Sequence, residues 1–224
     1  MSARLVLATR NPHKVVELRA ILAAALAGAV EPGVLDSAVA GLDSYDAPDV
    51  AETGVTYAAN ALLKAHAAAA LTGLPAVADD SGLSVDVLGG APGVFSARWS
   101  GRHGDDLANV DLLLGQLADV PDEHRGARFV CAIAFVHPAA GSDLLEPAER
   151  VEHGELPGVL ERRPRGTGGF GYDPILRPHG HARTLAELAA DEKNAMSHRS
   201  QALRAMAPHL RSVLSPTDPG RRAT

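Results

Sequence analysis

The sequence predicts an α/β protein built on a mixed sheet. Three observations carry that expectation. Short apolar runs of strand length alternate along the chain with segments whose apolar residues fall at helical spacing. No internal repeat and no shift in composition marks a linker, so the 224 residues read as one large domain, or two lobes sharing a sheet. A composition of 46% apolar and 21% charged residues is that of an ordinary globular protein with a sizeable core.

Each element has a local reason. Residues 5–8 form a short apolar strand. Asn11 is a good N-cap and Pro12 suits a first helical position. Val15, Leu18, Ile21, Leu22 and Leu26 then follow helical spacing until Gly28 stops the helix. Residues 29–51, punctuated by Gly33, Gly41 and Pro48, read as turns. A second helix is expected over 55–71, with Thr53 near its start and Gly73 past its end. An apolar strand at 76–78 leads into Asp79-Asp80-Ser81-Gly82. Leu83, Val85 and Val87 then alternate with Ser84 and Asp86, as in a half-buried strand. Residues 89–104 read as a glycine-rich loop and 105–117 as a third helix. A long strand follows at 127–137, another around 151–156, and a loop over 162–174. Thr184 with Glu187 three residues later is a capping-box pattern that opens a helical C-terminal part. That part restarts after Ser197 and runs to about Leu214. The proline- and arginine-rich tail, 215–224, is expected to be disordered.

Composition also excludes functions. Too few apolar residues precede Arg10 for a signal peptide, and no run approaches the roughly 20 residues of a membrane span. The single cysteine, Cys131, lies in the apolar run 129–136 and reads as a small buried hydrophobe, so a reducing cytoplasm is expected. A net charge of −6 argues against a dedicated nucleic-acid binder. It leaves room for a small anion held by a few cations in one cleft. Lysine usage is more pointed. The chain has 18 arginines but three lysines, Lys14, Lys64 and Lys193, and all three fall in the motifs below. A compact, hydrated ammonium suits phosphate oxygens or proton transfer.

Five segments carry chemistry. Thr9-Arg10-Asn11-Pro12-His13-Lys14 joins a strand to a helix, where free N–H groups and the helix dipole make an anion site; a capped helix start would explain Asn11-Pro12 equally well. Thr56, Asn60 and Lys64 share one face of the second helix, behind Glu52. They are either a solvated stripe or, because the other faces are alanine and leucine, a buried polar row. Asp79-Asp80-Ser81 at a strand end offers carboxylates able to hold Mg²⁺ and orient a water, although Asp-Ser-Gly is also ordinary turn chemistry. Gly166-Thr167-Gly168-Gly169-Phe170-Gly171-Tyr172-Asp173 matches G-x-G-x-x-G only formally, since Pro174 follows and no helix opens. It suggests a loop that lets backbone approach a ligand, with Phe170 or Tyr172 to stack on it. Lys193, His198 and Arg199 flank a helix restart that can aim donors at a ligand, or else are ordinary surface charges.

Taken in order, LVLATRNPHK, ETGVTYAANALLKA, ADDSGLSVDVLGGAPGVFSARWSG, GTGGFGYDPI and DEKNAMSHRSQAL resemble the inosine/xanthosine triphosphate pyrophosphatase family of housecleaning nucleotide hydrolases. The resemblance spans nearly the whole chain except 29–50 and the tail. It implies an elongated mixed sheet with helices on both faces, and two lobes flanking a central active-site cleft within residues 1–214. It also implies a homodimer, with a nucleoside triphosphate as the small-molecule partner. Carried over to this chain, Thr9, Arg10, Asn11, Pro12, His13 and Lys14 would bind the triphosphate. Asp80 would be the general base and a magnesium ligand, with Ser81 touching substrate and Glu52 and Asp79 completing the metal site. Phe170, Gly171, Tyr172, Asp173, Lys193, His198 and Arg199 would bind the nucleoside. Arg10 stands where many relatives carry glycine, and Ala51 where a second acidic residue often precedes Glu52.

The expected reaction is Mg²⁺-dependent hydrolysis of ITP, dITP, XTP or dXTP to the monophosphate and pyrophosphate. Asp80 would take a proton from the attacking water, and Lys14 and Lys64 would stabilise the leaving group. Two alternatives stand beside it: a Maf-like pyrophosphatase with another base preference, and a non-catalytic nucleotide-binding regulator.

Overall fold

The computed structural model describes residues 3–10, 12–28, 30, 32–138 and 148–214, so the expected tail lies outside them. The chain starts with β1 (Leu5–Leu7), α1 (Pro12–Ala25), α2 (Pro32–Ala38) and β2 (Val39–Gly41). Next come α3 (Tyr57–Thr72), β3 (Ala76–Val85), α4 (Asp106–Gln116), β4 (Gly126–His137) and β5 (Ala148–Leu160). It closes with β6 (Leu176–Pro178), α5 (Ala190–Met196) and α6 (His198–Leu214). The six strands form one sheet in the order β2-β1-β3-β4-β5-β6. β1 runs parallel to β2 and β3, and every other pairing is antiparallel. This is the mixed α/β sheet that the sequence predicts.

Strand alternation divides the core. Leu5, Leu7, Val77, Cys131, Ile133 and Phe135 point to one face and are covered by α1, α2 and α6. Val6, Ala76, Ala78, Ala132 and Ala134 point to the other, where Ala61, Ala65, Ala68 and Ala69 of α3 meet them. Small residues on both surfaces let α3 lie close to the sheet, which explains its alanine-rich composition. A third cluster gathers Leu83, Val85 and Phe129 with Val110 and Leu113 of α4 and Leu156, Leu160 and Leu176 beyond.

Several boundaries differ from expectation, each for a physical reason. The supposed turns at 29–51 hold α2 and β2, which are seven and three residues long and too short to show a period. The strands expected on either side of Asp79 to Gly82 are one ten-residue strand. All ten residues pair with β4, so the backbone of this apparent turn segment is satisfied within the sheet. Val87 leaves the strand for a 3-10 turn, Asp86–Leu88. α3 starts at Tyr57, with Thr56 as its cap: the Thr56 hydroxyl accepts from the Ala59 N–H at 3.1 Å, and Gly73 ends the helix in the left-handed region at φ 67°. Around Thr184 the helical part is first a single 3-10 turn, Leu185–Glu187, with the Glu187 carboxylate accepting from the Thr184 N–H at 2.8 Å.

β5 extends to thirteen residues through Gly154, and this glycine is required. A Cβ there would lie 2.1 Å from the His198 carbonyl oxygen and 2.8 Å from the Ala202 nitrogen, because the first turn of α6 rests directly on the strand. Gly154→Ala is expected to lower the unfolding free energy by about 1–3 kcal/mol through overpacking. Urea denaturation measures this, and an unchanged midpoint would contradict the packing.

Candidate active site

The cleft arises where β1 stops. The Ala8 N–H bonds the Val77 carbonyl at 2.7 Å, after which the chain turns away toward α1. On the far side, coverage of β3 resumes at Leu83, whose N–H donates to Ser96 Oγ at 2.8 Å, and at the Ser84–Pro92 bridge. Among the described residues, the intervening edge of β3 is paired with no strand. It carries Asp79, Asp80 and Ser81.

Because they are consecutive in a strand, the two aspartates face opposite sides of the sheet. Asp79 points toward α1 and α6. It lies 3.1 Å from Lys14 Nζ and 3.0 Å from Arg199 Nε and is almost wholly buried. Burial alone would raise its carboxyl, but Lys14, Arg199 and Lys64 outweigh burial and hold it far below the usual carboxylate range. Asp80 points toward α3, where it accepts from Asn60 Nδ2 at 3.2 Å and from Lys64 Nζ at 3.2 Å. Here burial dominates. Lys64 and Asn60 pull the carboxyl down and Glu52 pushes it up, and the result is a raised value. A desolvated carboxylate with a raised pKa beside an open edge is suited to accept a proton.

Lys64 Nζ also lies 3.0 Å from Glu52, which has Arg98 at 3.7 Å on its other oxygen. Burial raises the Glu52 carboxyl less than Lys64, Lys14 and Arg98 lower it, so it stays ionised. Burial likewise lowers Lys64, but Asp79, Asp80 and Glu52 more than restore its charge. The row of Thr56, Asn60 and Lys64 is therefore a cap, a fully buried amide and a partly buried cation paired with carboxylates, and not a solvated stripe. Two carboxylates, Glu52 and Asp80, already converge on one cation. Among the described residues no group of three or more acidic, His or Cys side chains forms a closed metal cage. Two hard oxygen donors suit a divalent cation that takes its remaining ligands from phosphate and water.

Two cavities meet at Lys14. The first is lined by Thr9, Arg10, Lys14, Glu52, Lys64, Asp79 and Arg98 and is rich in cations. The second is lined by Ser81, Phe129, Phe170, Tyr172, Lys193 and His198. The glycine loop shapes it. Asp173 Oδ2 accepts from the Phe170 N–H at 2.9 Å and from Lys193 Nζ at 2.6 Å, which leaves the Lys193 ammonium 5.0 Å from the Phe170 ring centre. Gly169, at φ 73°, would place a Cβ 2.1 Å from that same oxygen, so only glycine fits. The Gly171 N–H donates to Asp106 Oδ2 at 2.7 Å, and Tyr172 Oη donates to the Ser96 carbonyl at 2.9 Å.

His198 stacks on Phe129 with ring centres 4.9 Å apart, and its Nδ1 is buried with no partner among the described residues. Burial, with Arg199 and Lys193 beside it, holds its pKa well below the ordinary value, so it is neutral at pH 7. A lowered imidazole pKa means the unfolded chain binds the extra proton. Stability is thus complete above the unfolded value near 6.5 and is lost as pH falls below it, by about 1.4 kcal/mol per unit until the folded group titrates. The pH dependence of urea unfolding between pH 7 and 5 should show this slope, and His198→Gln should flatten it. An equal slope in the variant would contradict the assignment.

Most of the residues singled out in the sequence are brought together here. Asn11 lies outside the described residues, as do the side chains of Pro12 and His13. Arg199 is anchored rather than free: Nε to Asp79, Nη1 to Glu17 at 3.3 Å and Nη2 to Ser81 Oγ at 2.8 Å. Sequence reasoning missed Glu17, Ser96, Arg98, Asp106 and Phe129. Arg98 sits within a quoted motif and could have been flagged as a cation there. Ser96 lies in the same motif, and Glu17, Asp106 and Phe129 come close only through the fold.

The chain resembles known proteins in both sequence and fold. A family model described as the Ham1 family matches residues 5–209. The chain is 61% identical over 212 residues to a protein of Streptomyces coelicolor named dITP/XTP pyrophosphatase, covering 94% of this chain and 98% of that one. It is 52% identical over 211 residues to a protein of the same name from Mycobacterium tuberculosis H37Rv, covering 94% and 96%. The solved HAM1 protein of Coxiella burnetii superposes with a TM-score of 0.79 at 40% identity, over 95% of this chain and all of that one. A Mycobacterium abscessus structure, described as a nucleoside-triphosphatase / dITP/XTP pyrophosphatase, matches at 0.70 and 47%, over 91% and 98%. With a matching sequence over nearly its full length and a matching fold, the chain belongs to the Ham1 family.

Proposed function

We propose that this chain hydrolyses the non-standard purine nucleoside triphosphates dITP, ITP, XTP and dXTP to the monophosphate and pyrophosphate, with Mg²⁺ as cofactor. The observation that carries this is Asp80 on the uncovered edge of β3, its carboxylate held by Asn60 and by Lys64, the cation that with Glu52 lines the cationic cavity. The dITP/XTP pyrophosphatase name of the 61% identical relative supports the substrate class.

Asp80 accepts the proton of the water that attacks the α-phosphorus. Asn60 and Lys64 hold its two oxygens in place. Lys14 and Lys64 oppose the charge that develops on pyrophosphate, where fixed cations are most effective in a partly dehydrated cleft. Glu52 and Asp80 would hold Mg²⁺, which supplies neutralisation of the phosphate oxygens. At the other end, Phe170 offers its face to the purine. Lys193 and His198 present donors that a 6-oxo purine satisfies, whereas the 6-amino group of adenine would leave them unpaired. We read residues 1–214 as one domain whose two lobes flank the cleft, acting as a cytoplasmic homodimer. The family resemblance of the motifs supports that reading. No helix among the described residues is long and apolar enough to cross a membrane.

A panel of dITP, XTP, GTP and ATP, with and without Mg²⁺, tests the proposal. Mg²⁺-dependent pyrophosphate release from dITP and XTP is expected. Equal rates on ATP would overturn the base reading, and release of orthophosphate alone would overturn the reaction.

A further inference from the structure

We infer that Arg10 and Asp49 form a latch at the outer end of the cationic cavity, which the terminal phosphate of a triphosphate opens, so that Arg10 selects triphosphates over diphosphates. The inference rests on reading that cavity as the triphosphate site. Arg10 Nη1 lies 2.9 Å from Asp49 Oδ1, and Nη2 donates to the Ala47 carbonyl. Both residues line the same cavity as Lys14 and Lys64, but they stand at its rim. The Arg10 and Asp49 side chains are 42% and 97% exposed, against 23% for Lys14 and 16% for Lys64.

The cations therefore differ in depth and in commitment. Lys64 touches Asp80 itself, and Lys14 touches Asp79, so they address phosphates near the attacked phosphorus. Arg10 is left for the phosphate farthest from it. Its present partner is a weak competitor, because an ion pair this exposed is screened and holds two long side chains at an entropic cost. A terminal phosphate offers the guanidinium two parallel charge-assisted hydrogen bonds and more charge than one carboxylate. A diphosphate ends one phosphate short and leaves Arg10 on Asp49.

Titration calorimetry in Mg²⁺ with the α,β-imido analogue of ITP and with IDP tests the latch. Arg10→Ala should weaken the triphosphate analogue by about tenfold or more, the loss of a charged hydrogen-bond pair, and leave IDP unchanged. Asp49→Asn should tighten the analogue by up to about fivefold, since the competing carboxylate is gone, again without effect on IDP. Arg10→Ala weakening both ligands equally, or neither, overturns the latch, as does weaker analogue binding by Asp49→Asn. If the unmodified protein binds neither ligand, the functional reading itself fails.

Discussion

Asp80→Asn is expected to lower kcat by roughly 100- to 10,000-fold, the contribution of a positioned general base. It should leave the protein at least as stable. The reasoning is electrostatic. Burial raises the Asp80 carboxyl, so the fold disfavours its charged form, and a neutral amide of the same shape removes that penalty. Lys64 keeps Glu52 as a partner at 3.0 Å, so no cation is orphaned. Steady-state kinetics with dITP and urea unfolding of the same preparation give both numbers. A kcat within a few-fold of the parent would remove Asp80 from its role.

Asp79→Ala is expected to do the reverse first: to lower stability by about 3–5 kcal/mol, because it strips a buried partner from two cations at once. Arg199 is almost wholly buried and would retain Glu17 at 3.3 Å as its one carboxylate, with Ser81 at 2.8 Å and the Phe170 ring. The sign with pH follows from the depressed carboxyl. Its stabilisation is fully present above the unfolded value near 3.9 and is lost as pH falls below it. The gap between parent and variant should therefore be full at pH 7 and narrow in acid. A variant as stable as the parent at pH 7 would show that the buried pair is not what holds α1 and α6 against β3.

This contrast between neighbours shows what the sequence could and could not reveal. Asp79-Asp80 was legible as a chemical pair, but its division of labour depends on a ten-residue strand running straight through it. Asp-Ser-Gly masks that continuity, and only the β4 pairing overrides the local turn preference. The core of α1 was legible because Val15, Leu18, Ile21, Leu22 and Leu26 repeat at helical spacing. α2, β2 and β6 were not, since they are too short to show a period and, unlike β1, are broken by glycine, proline or polar residues. The scarcity of lysine pointed to three buried or half-buried ammonium groups, each of which sits against a carboxylate. By contrast, the Asp106 contact to Gly171 joins residues 65 apart, and the Arg199 bond to Asp79 spans 120. Only the fold brings such pairs together. It also shows Arg199 held by Asp79, Glu17 and Ser81 while it lines the aromatic cavity over Phe170.

Hydrolysis of dITP in ¹⁸O-labelled water with Mg²⁺ tests the central claim most directly. On the proposal that Asp80 activates the water that attacks the α-phosphorus, the label should appear in the monophosphate, with one unlabelled pyrophosphate per turnover. Label in pyrophosphate, or orthophosphate as the product, would contradict it.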